Sequence, residues 1–336
     1  MERPPVLLLT MGDPAGIGPE IAVKALCGRA ESHRHRIVVI GDVDVLRKAA
    51  DVCGLSPVFN IIDVADDAVC VDGTINVIDM GEINTSQFTP GIPQASCGQA
   101  AYQYIIKAIE LTIDKKAAGV VTNPISKESL KLAGIDYPGH TEIFADKTKT
   151  ASYSMVFLLD GVAVAHVTTH VSLRQAIKLV TRDRVLDQIR LLHRSLKGLG
   201  INPPRMAVAG LNPHAGENGL FGDEEIKEII PAINEARDLG IDITGPLPPD
   251  TVFNRAFKGE FNGVVSMLHD HGFVALKSRD FDHGVNITVG LPIIRTSVGH
   301  GTAFDKAWKG TASTASLISA IEAASHIHSF MCDDAG

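Results

Sequence analysis

Histidine is where chemistry is most visible in this chain. Nine of its 13 histidines fall between His140 and His300. Three of them stand just past apolar runs that read as buried strands: Thr168-Thr169-His170, Asn212-Pro213-His214-Ala215-Gly216 and His269-Asp270-His271-Gly272. Strand ends along one edge of an α/β sheet are where ligands usually bind. Imidazoles converging there could hold one divalent ion and leave positions open for substrate. Asp270 and Asp250 are carboxylates able to orient a ligand histidine or move protons. Taken singly, each histidine reads better as a hydrogen-bonded loop residue. Their repetition at equivalent positions brings the metal reading level with that one, because the spacing is too dispersed to be specific.

Two other sets could meet an anion or a nucleotide. Lys277, Asn286 within Gly284-Val285-Asn286-Ile287-Thr288, and Arg295 could clamp a phosphate or carboxylate, with the His140-Thr141 pair after Pro138-Gly139 as a further contact. Scattered charges are usually a solvated face, but Arg295 closes the apolar run Val289–Ile294, and a strand-end position argues against that. The first strand runs into Gly12-Asp13-Pro14-Ala15-Gly16-Ile17-Gly18-Pro19-Glu20, whose glycines permit positive φ and close backbone approach. No Gly-Lys-Ser/Thr follows, so it is not a P-loop, nor is it a G-x-G-x-x-G fingerprint. A plain strand-to-helix turn explains these residues as well. His300-Gly301-Thr302-Ala303-Phe304-Asp305 reads as a second glycine-bearing turn into a helix.

Elements to position these residues are legible in the pattern. Val6–Thr10, Arg36–Ile40, Ala118–Val121, Met206–Gly210 and Gly263–Met267 read as buried strands, alternating with helical stretches such as Ser96–Lys115, Thr181–Leu199 and Asp223–Leu239. That alternation predicts an α/β fold with a largely parallel sheet. Asp160-Gly161 between Met155–Leu159 and Val162–Val167 signals a hairpin, of the kind two subunits share as a flap. Pro246-Leu247-Pro248-Pro249 reads as a fixed surface loop. At 336 residues, one large or two closely joined domains are expected. The net charge of −8 gives no general attraction for nucleic acid or anionic membrane. The first apolar run, Val6 to Met11, is too short for a signal or membrane segment. Five cysteines, Cys27, Cys53, Cys70, Cys97 and Cys332, form no C-x-x-C pair and read as buried free thiols of a cytoplasmic protein.

With these residues assembled, the chain resembles the 4-hydroxythreonine-4-phosphate dehydrogenase family almost end to end. The resemblance rests on TMGDPAGIGPE at 10–20, GHTE at 139–142, TTH at 168–170, LNPHAGE at 211–217, GPLPPDT at 245–251 and GVNITVGLPIIRTS at 284–297. GIGPE and HGTAFD also resemble the wider isocitrate and isopropylmalate dehydrogenase group. That implies two α/β domains with a cleft between them: a cofactor-side domain of 1–130 plus 290–336, and a metal-binding and dimerisation domain of 131–289. It also implies NAD as cofactor, one divalent ion (Zn, Mg or Co) and a homodimer whose active site is shared across the interface. Carried over residue by residue, His170, His214 and His269 match the metal ligands. His140, Thr141, Lys277, Asn286 and Arg295 match the substrate contacts. Gly12, Gly16, Gly18, His300, Gly301 and Asp305 are the cofactor candidates, with Asp305 analogous to an aspartate near the adenine ribose.

Two departures from the biosynthetic pattern matter. His271 stands in HDHG where HDQG is typical, and Gly299 in SVGHGTA where SVDHGTA is typical. With FVALKSRDFDHG at 273–284, they resemble the branch associated with 4-phospho-D-threonate. The implied reaction is oxidation at C3 and decarboxylation to glycerone phosphate, with Lys277, Asp250 or Asp270 as the base. The vitamin B6 reaction on 4-phosphohydroxy-L-threonine is the rival substrate. A metal-dependent hydrolase, a phosphoacyl transferase and a non-catalytic phosphate-binding module are the rival classes.

Overall fold

Short runs rich in Val, Ile and Leu and bounded by turns become strands because a parallel strand covered on both faces needs an unbroken apolar stretch. The computed structural model describes residues 4–27, 36–280 and 282–333; Phe281 and the side chain of Cys332 lie outside the described residues. In chain order the strands are β1 (Val6–Thr10), β2 (Arg36–Gly41), β3 (Val58–Ile61), β4 (Thr74–Asp79), β5 (Gly119–Thr122), β6 (Ser154–Leu159), β7 (Val162–His166), β8 (Met206–Ala209), β9 (Ile243–Leu247), β10 (Gly263–Ser266), β11 (Val285–Val289) and β12 (Ile294–Val298). The chain divides into two compact units, Met1–Ala151 with Leu291–Ser329, and Ser152–Gly290 with Phe330–Gly336.

The first unit orders its strands β3-β4-β2-β1-β5-β12, and every pairing is parallel. Leu7, Leu8 and Leu9 of β1 are fully buried, as two-sided cover demands. The helix Ala95–Ile113 packs on β1, β2 and β5. The second unit runs β11-β6-β7-β10-β8-β9. There β6 is antiparallel to both neighbours, while β7, β10, β8 and β9 are parallel in succession. The helix Arg182–Gly198 lays Val185, Ile189, Leu192 and Leu196 into a core with Val156, Ala165, Val208 and Val265, the spacing of one apolar helix face.

Several expectations change. Asp160 and Gly161 form the hairpin turn at φ 48° and 75°, as a primed two-residue turn requires. Yet β6 pairs with β11 and β7 with β10, so the hairpin is interior sheet and not a flap. Pro246 and Leu247 belong to β9, which among the described residues pairs only with β8 and so tolerates proline, while Pro248 and Pro249 lie in the turn that follows. Asp223–Leu239 is a π-helical turn, Glu225–Ile229, continued by the α-helix Ile230–Asp238. The turn at His300 leads into no helix until Ala315. The four described cysteine side chains are free thiols, but only Cys97 is buried and Cys70 is exposed. Among the described residues no helix is long and apolar enough to cross a membrane.

Helix packing in the first unit depends on a missing methyl. Gly98, on the helix Ala95–Ile113, faces the Ser129 carbonyl of the helix Lys127–Leu132, where a Cβ would collide with backbone. Gly98→Ala should therefore lower unfolding free energy by about 1–3 kcal/mol, the overpacking range, although alanine is the better helix former. Urea denaturation of both proteins checks this; a variant as stable as wild type would show that the helices can separate freely.

Candidate active site

The three histidines follow three adjacent parallel strands of the second unit, in the order β7, β10, β8. His170 lies in the loop after β7, His269 opens the helix His269–Arg279 after β10, and His214 lies in the turn Pro213–Gly219 after β8. Parallel neighbours emit their chains at the same edge, so equivalent loop positions become neighbours in space. The loop after β7 is tied to that after β10 by Thr168, whose hydroxyl (2.8 Å) and amide (3.2 Å) both donate to the Met267 carbonyl. The His170 and His269 rings consequently stand 5.7 Å apart. Two imidazoles sharing a tetrahedral ion have ring centres about 5–6 Å apart, given metal–nitrogen distances near 2 Å. His269 Nδ1 meets Asp270 Oδ1 at 2.7 Å, the carboxylate–histidine arrangement that leaves Nε2 free for an ion. A cavity of about 390 Å³ is lined by Thr168, Thr169, His170, Ser172, His269 and Asp270 among others. The donor set and spacing fit two ligands of a divalent ion. Among the described residues no three His, Cys, Asp or Glu side chains are grouped to hold one.

His214 stands apart from that pair, its ring 6.0 Å from Phe221. Its loop is wound left-handed: His214, Ala215, Gly216, Glu217 and Asn218 all have φ between 42° and 77°. Each non-glycine residue there costs about 1–2 kcal/mol, so something must hold the turn. Glu225, 2% exposed, does so. Its Oε1 accepts from the Leu211 and Asn212 amides, both at 2.8 Å, and its Oε2 from Asn212 Nδ2 at 2.9 Å. Exposed Leu220, Phe221 and Ile226 follow along the same stretch.

His166 was not singled out by sequence reasoning. It ends β7 and is buried, stacked on Phe273 at 4.7 Å with rings nearly parallel, and 6.1 Å from the His269 ring. Neither ring nitrogen has a hydrogen-bond partner. Burial, with His269 adding to it, pushes its pKa down to about 3, so it is a neutral wall of the site. Gly272 is glycine because His166 occupies the space of its Cβ. A histidine closing the otherwise apolar run Val-Ala-Val-Ala was the available signal.

In the first unit, Arg295 is the second residue of β12 and 3% exposed, not the end of a strand over 289–294; that apolar run is broken between β11 and β12. Its Nη2 donates to Thr122 Oγ1 at 2.8 Å, and its guanidinium lies 5.5 Å from the Phe144 ring centre. Burial pulls its pKa down to about 9, leaving it charged at neutral pH. His140 opens the helix His140–Lys147, followed by Thr141, with Nε2 buried and unpartnered. Burial first, then the Arg295 charge, hold His140 well below the ordinary imidazole range. The pair is one fixed cation beside one neutral donor–acceptor, a combination suited to a phosphate.

The candidate cofactor residues divide in two. Gly12, Gly16 and Gly18 are buried, and the space of each Cβ is filled by the chain itself: Pro124 and Asn123, Thr302, and the Met11 carbonyl. Their smallness serves internal packing, and the Cβ positions themselves offer no room to a ligand. The two glycine-bearing loops meet, with the Ile17 amide donating to the Thr302 carbonyl at 3.1 Å. His300 is only partly buried, Gly301 and Asp305 are exposed, and nothing lies within 4 Å of a Cβ on Gly301.

Comparison with known proteins identifies the family. Residues 33–324 match the family model described as Pyridoxal phosphate biosynthetic protein PdxA. The D-threonate 4-phosphate dehydrogenase of Pectobacterium atrosepticum is 46% identical over 320 residues, 95% of this chain and 98% of that protein. The chain belongs to the PdxA family. The crystal structure of 4-hydroxythreonine-4-phosphate dehydrogenase from Klebsiella pneumoniae matches with a TM-score of 0.88 at 45% identity, covering 96% of this chain and 99% of that one. The Burkholderia phymatum enzyme of the same name gives 0.85 at 42%, covering 97% and 99%. The α/β fold is that of PdxA structures.

Of the remaining candidates in this PdxA chain, Lys277, Asp250 and Asp270 are exposed. Lys277 lies on the helix His269–Arg279 with its ammonium 5.3 Å from the Phe273 ring centre. Asp250 is exposed in the turn before the helix Val252–Phe257, and Asp270 is engaged by His269. Asn286 is half-buried on β11, opposite Phe157 of β6.

His140 makes acid stability testable. Its folded pKa is lowered, so the unfolded chain takes the proton first; stability is complete above the unfolded value of about 6.5 and declines as pH falls below it. His140→Gln removes this one contribution. Its melting temperature should drop less than that of wild type between about pH 7 and pH 5. Equal drops in the two proteins would show that His140 is not held neutral.

Proposed function

We propose that this chain oxidises 4-phospho-D-threonate at C3 with NAD and releases CO2, yielding glycerone phosphate and NADH. The observation that carries the reading is the His170–His269 pair with Asp270 behind His269, in a chain 46% identical to a D-threonate 4-phosphate dehydrogenase. A divalent ion held there supplies polarisation of the hydroxyl to be oxidised. Asp270 fixes the tautomer of His269 and directs Nε2 outward. Arg295 holds the phosphate through its planar fork, with His140 and Thr141 as neighbouring contacts. Lys277 and Asn286 remain substrate contacts by family correspondence. With Asp270 occupied as an orienting group, Lys277 and Asp250 are the proton acceptors to separate by replacement. The hydrolase reading loses its support, because the relatives are named dehydrogenases.

We assign His300, Gly301 and Asp305 to the cofactor. The Asp305 carboxylate accepts from a ribose 2′-hydroxyl and repels a 2′-phosphate. Lys309, whose Nζ reaches the Asp305 carbonyl at 2.5 Å, offsets part of that repulsion. A second substrate reading, 4-phosphohydroxy-L-threonine, is favoured by the names of the similar crystal structures. Reduced-cofactor absorbance with both substrates and both cofactors decides. The expected outcome is turnover of 4-phospho-D-threonate with at least about tenfold preference for NAD, which corresponds to about 1.4 kcal/mol. Faster turnover of 4-phosphohydroxy-L-threonine would reassign the substrate, and no reduced cofactor with either would overturn the dehydrogenase reading.

We further propose that the chain forms a homodimer in which His214 completes the ion's ligand set from the second subunit. Support comes from the exposed Leu220, Phe221 and Ile226 beside it, an apolar stretch that a partner would cover. His214→Ala and His269→Ala proteins should each lack bound metal and activity. Co-expressed in equal amounts, they should recover roughly a quarter of wild-type activity, because half the dimers are mixed and each carries one intact site. Mixtures that stay inactive would place all ligands on one chain, and a His214→Ala protein that keeps its metal would remove His214 from the set.

A further inference from the structure

We propose that Glu20 and Lys24, charged residues on the helix Gly18–Cys27, are positioning residues for the segment 299–314, so that cofactor affinity depends on a latch outside the contact residues. The inference rests on the assignment of His300, Gly301 and Asp305 to the cofactor. Between β12 and the helix Ala315–Asp333 the chain has no regular structure, and its two ends are closed by the Gly299 amide donating to Ser316 Oγ at 2.8 Å. Two non-glycine residues inside it, Ala303 and Trp308, hold left-handed φ values of 42° and 61°. Such values persist only where the surroundings over-determine them.

Glu20 supplies that restraint. It is fully buried, and each carboxylate oxygen takes one main-chain amide of the segment: Oε2 from Trp308 at 2.8 Å, Oε1 from Gly310. One helical turn on, Lys24 Nζ donates to the carbonyls of Gly310 (3.0 Å) and Ala312 (2.7 Å). Residues four apart share a helix face, so a carboxylate and an ammonium together grip residues 308–312 by backbone atoms alone. Trp308 Nε1 donates to the Pro14 carbonyl at 3.1 Å, and Thr302 fills the space of a Gly16 Cβ. A buried carboxylate is costly unless its oxygens are satisfied; here the partners that satisfy it are the two amides that define the segment's path. Neither Glu20 nor Lys24 belongs to the candidate contacts, yet the shape presented at 300–305 depends on them.

The chain's single tryptophan is Trp308, which makes the latch observable without cofactor. Glu20→Gln puts an amide donor against a backbone N–H, and Lys24→Met removes two donors from a half-buried residue with little risk to folding. In both full-length variants, with far-UV circular dichroism unchanged, Trp308 emission should shift to the red and acrylamide quenching should rise in the absence of any nucleotide. NAD dissociation constants from calorimetry should weaken about tenfold, while KM for the phosphorylated substrate stays within twofold and kcat at saturating NAD within threefold. Unchanged Trp308 emission and quenching in both variants would overturn the latch itself. Altered emission with unchanged NAD affinity would overturn the positioning role by showing that the segment is not the cofactor's, which separates failure of the latch from failure of the cofactor assignment.

Discussion

A parallel strand covered on both faces leaves polar side chains no place except its ends. Nearly every candidate group in this protein follows from that constraint. His170, His214 and His269 come after β7, β8 and β10, and the buried strands behind them contribute Val, Ala and Met to the core. Among the polar groups that do lie on strands, Arg295 and His166 are handled in different ways. Arg295 keeps its charge by leaning on Thr122 and Phe144. His166 gives up its charge, stacked on Phe273.

The loops that leave those strand ends are not free to choose their shape. Two of them contain non-glycine residues at positive φ, His214 to Asn218 in one and Ala303 and Trp308 in the other. Each is held by a buried glutamate from a neighbouring helical segment: Glu225 takes the amides of Leu211 and Asn212, Glu20 those of Trp308 and Gly310. A carboxylate has two acceptor oxygens and no donor, so it can collect diverging N–H groups that no helix or sheet satisfies. Backbone strain is thus stored beside the candidate ligands and offset by charge-assisted hydrogen bonds.

Local electrostatics run against the overall balance. The chain carries a net charge of −8, yet Arg295 and His140 stand together in the first unit. Burial and mutual repulsion keep the imidazole neutral, so one positive charge and one adjustable hydrogen-bonding group remain. On the other unit, Asp270 orients His269 without withdrawing into the interior.

Local pattern determined a good deal of this protein. The strand runs Val6–Thr10, Met206–Gly210 and Gly263–Met267, the helices over 96–115 and 181–199 and the Asp160-Gly161 turn were all readable, because apolar periodicity and turn chemistry act within a few residues. The motifs around His170, His214 and His269 marked the strand ends for the same reason. Tertiary structure decided what those short-range rules cannot see. The roles of Glu20 and Glu225 were invisible, since Glu20 meets Trp308 across 288 residues of sequence and Glu225 reads as one more surface glutamate of a helix start. The glycines of 12–18 looked like openings for a ligand, but their neighbours in space are Asn123, Pro124 and Thr302. Arg295 looked like a strand end because an apolar run does not reveal where a turn divides it. Which side chains fill a space is settled by the packing of distant segments, and no spacing along the chain encodes that directly.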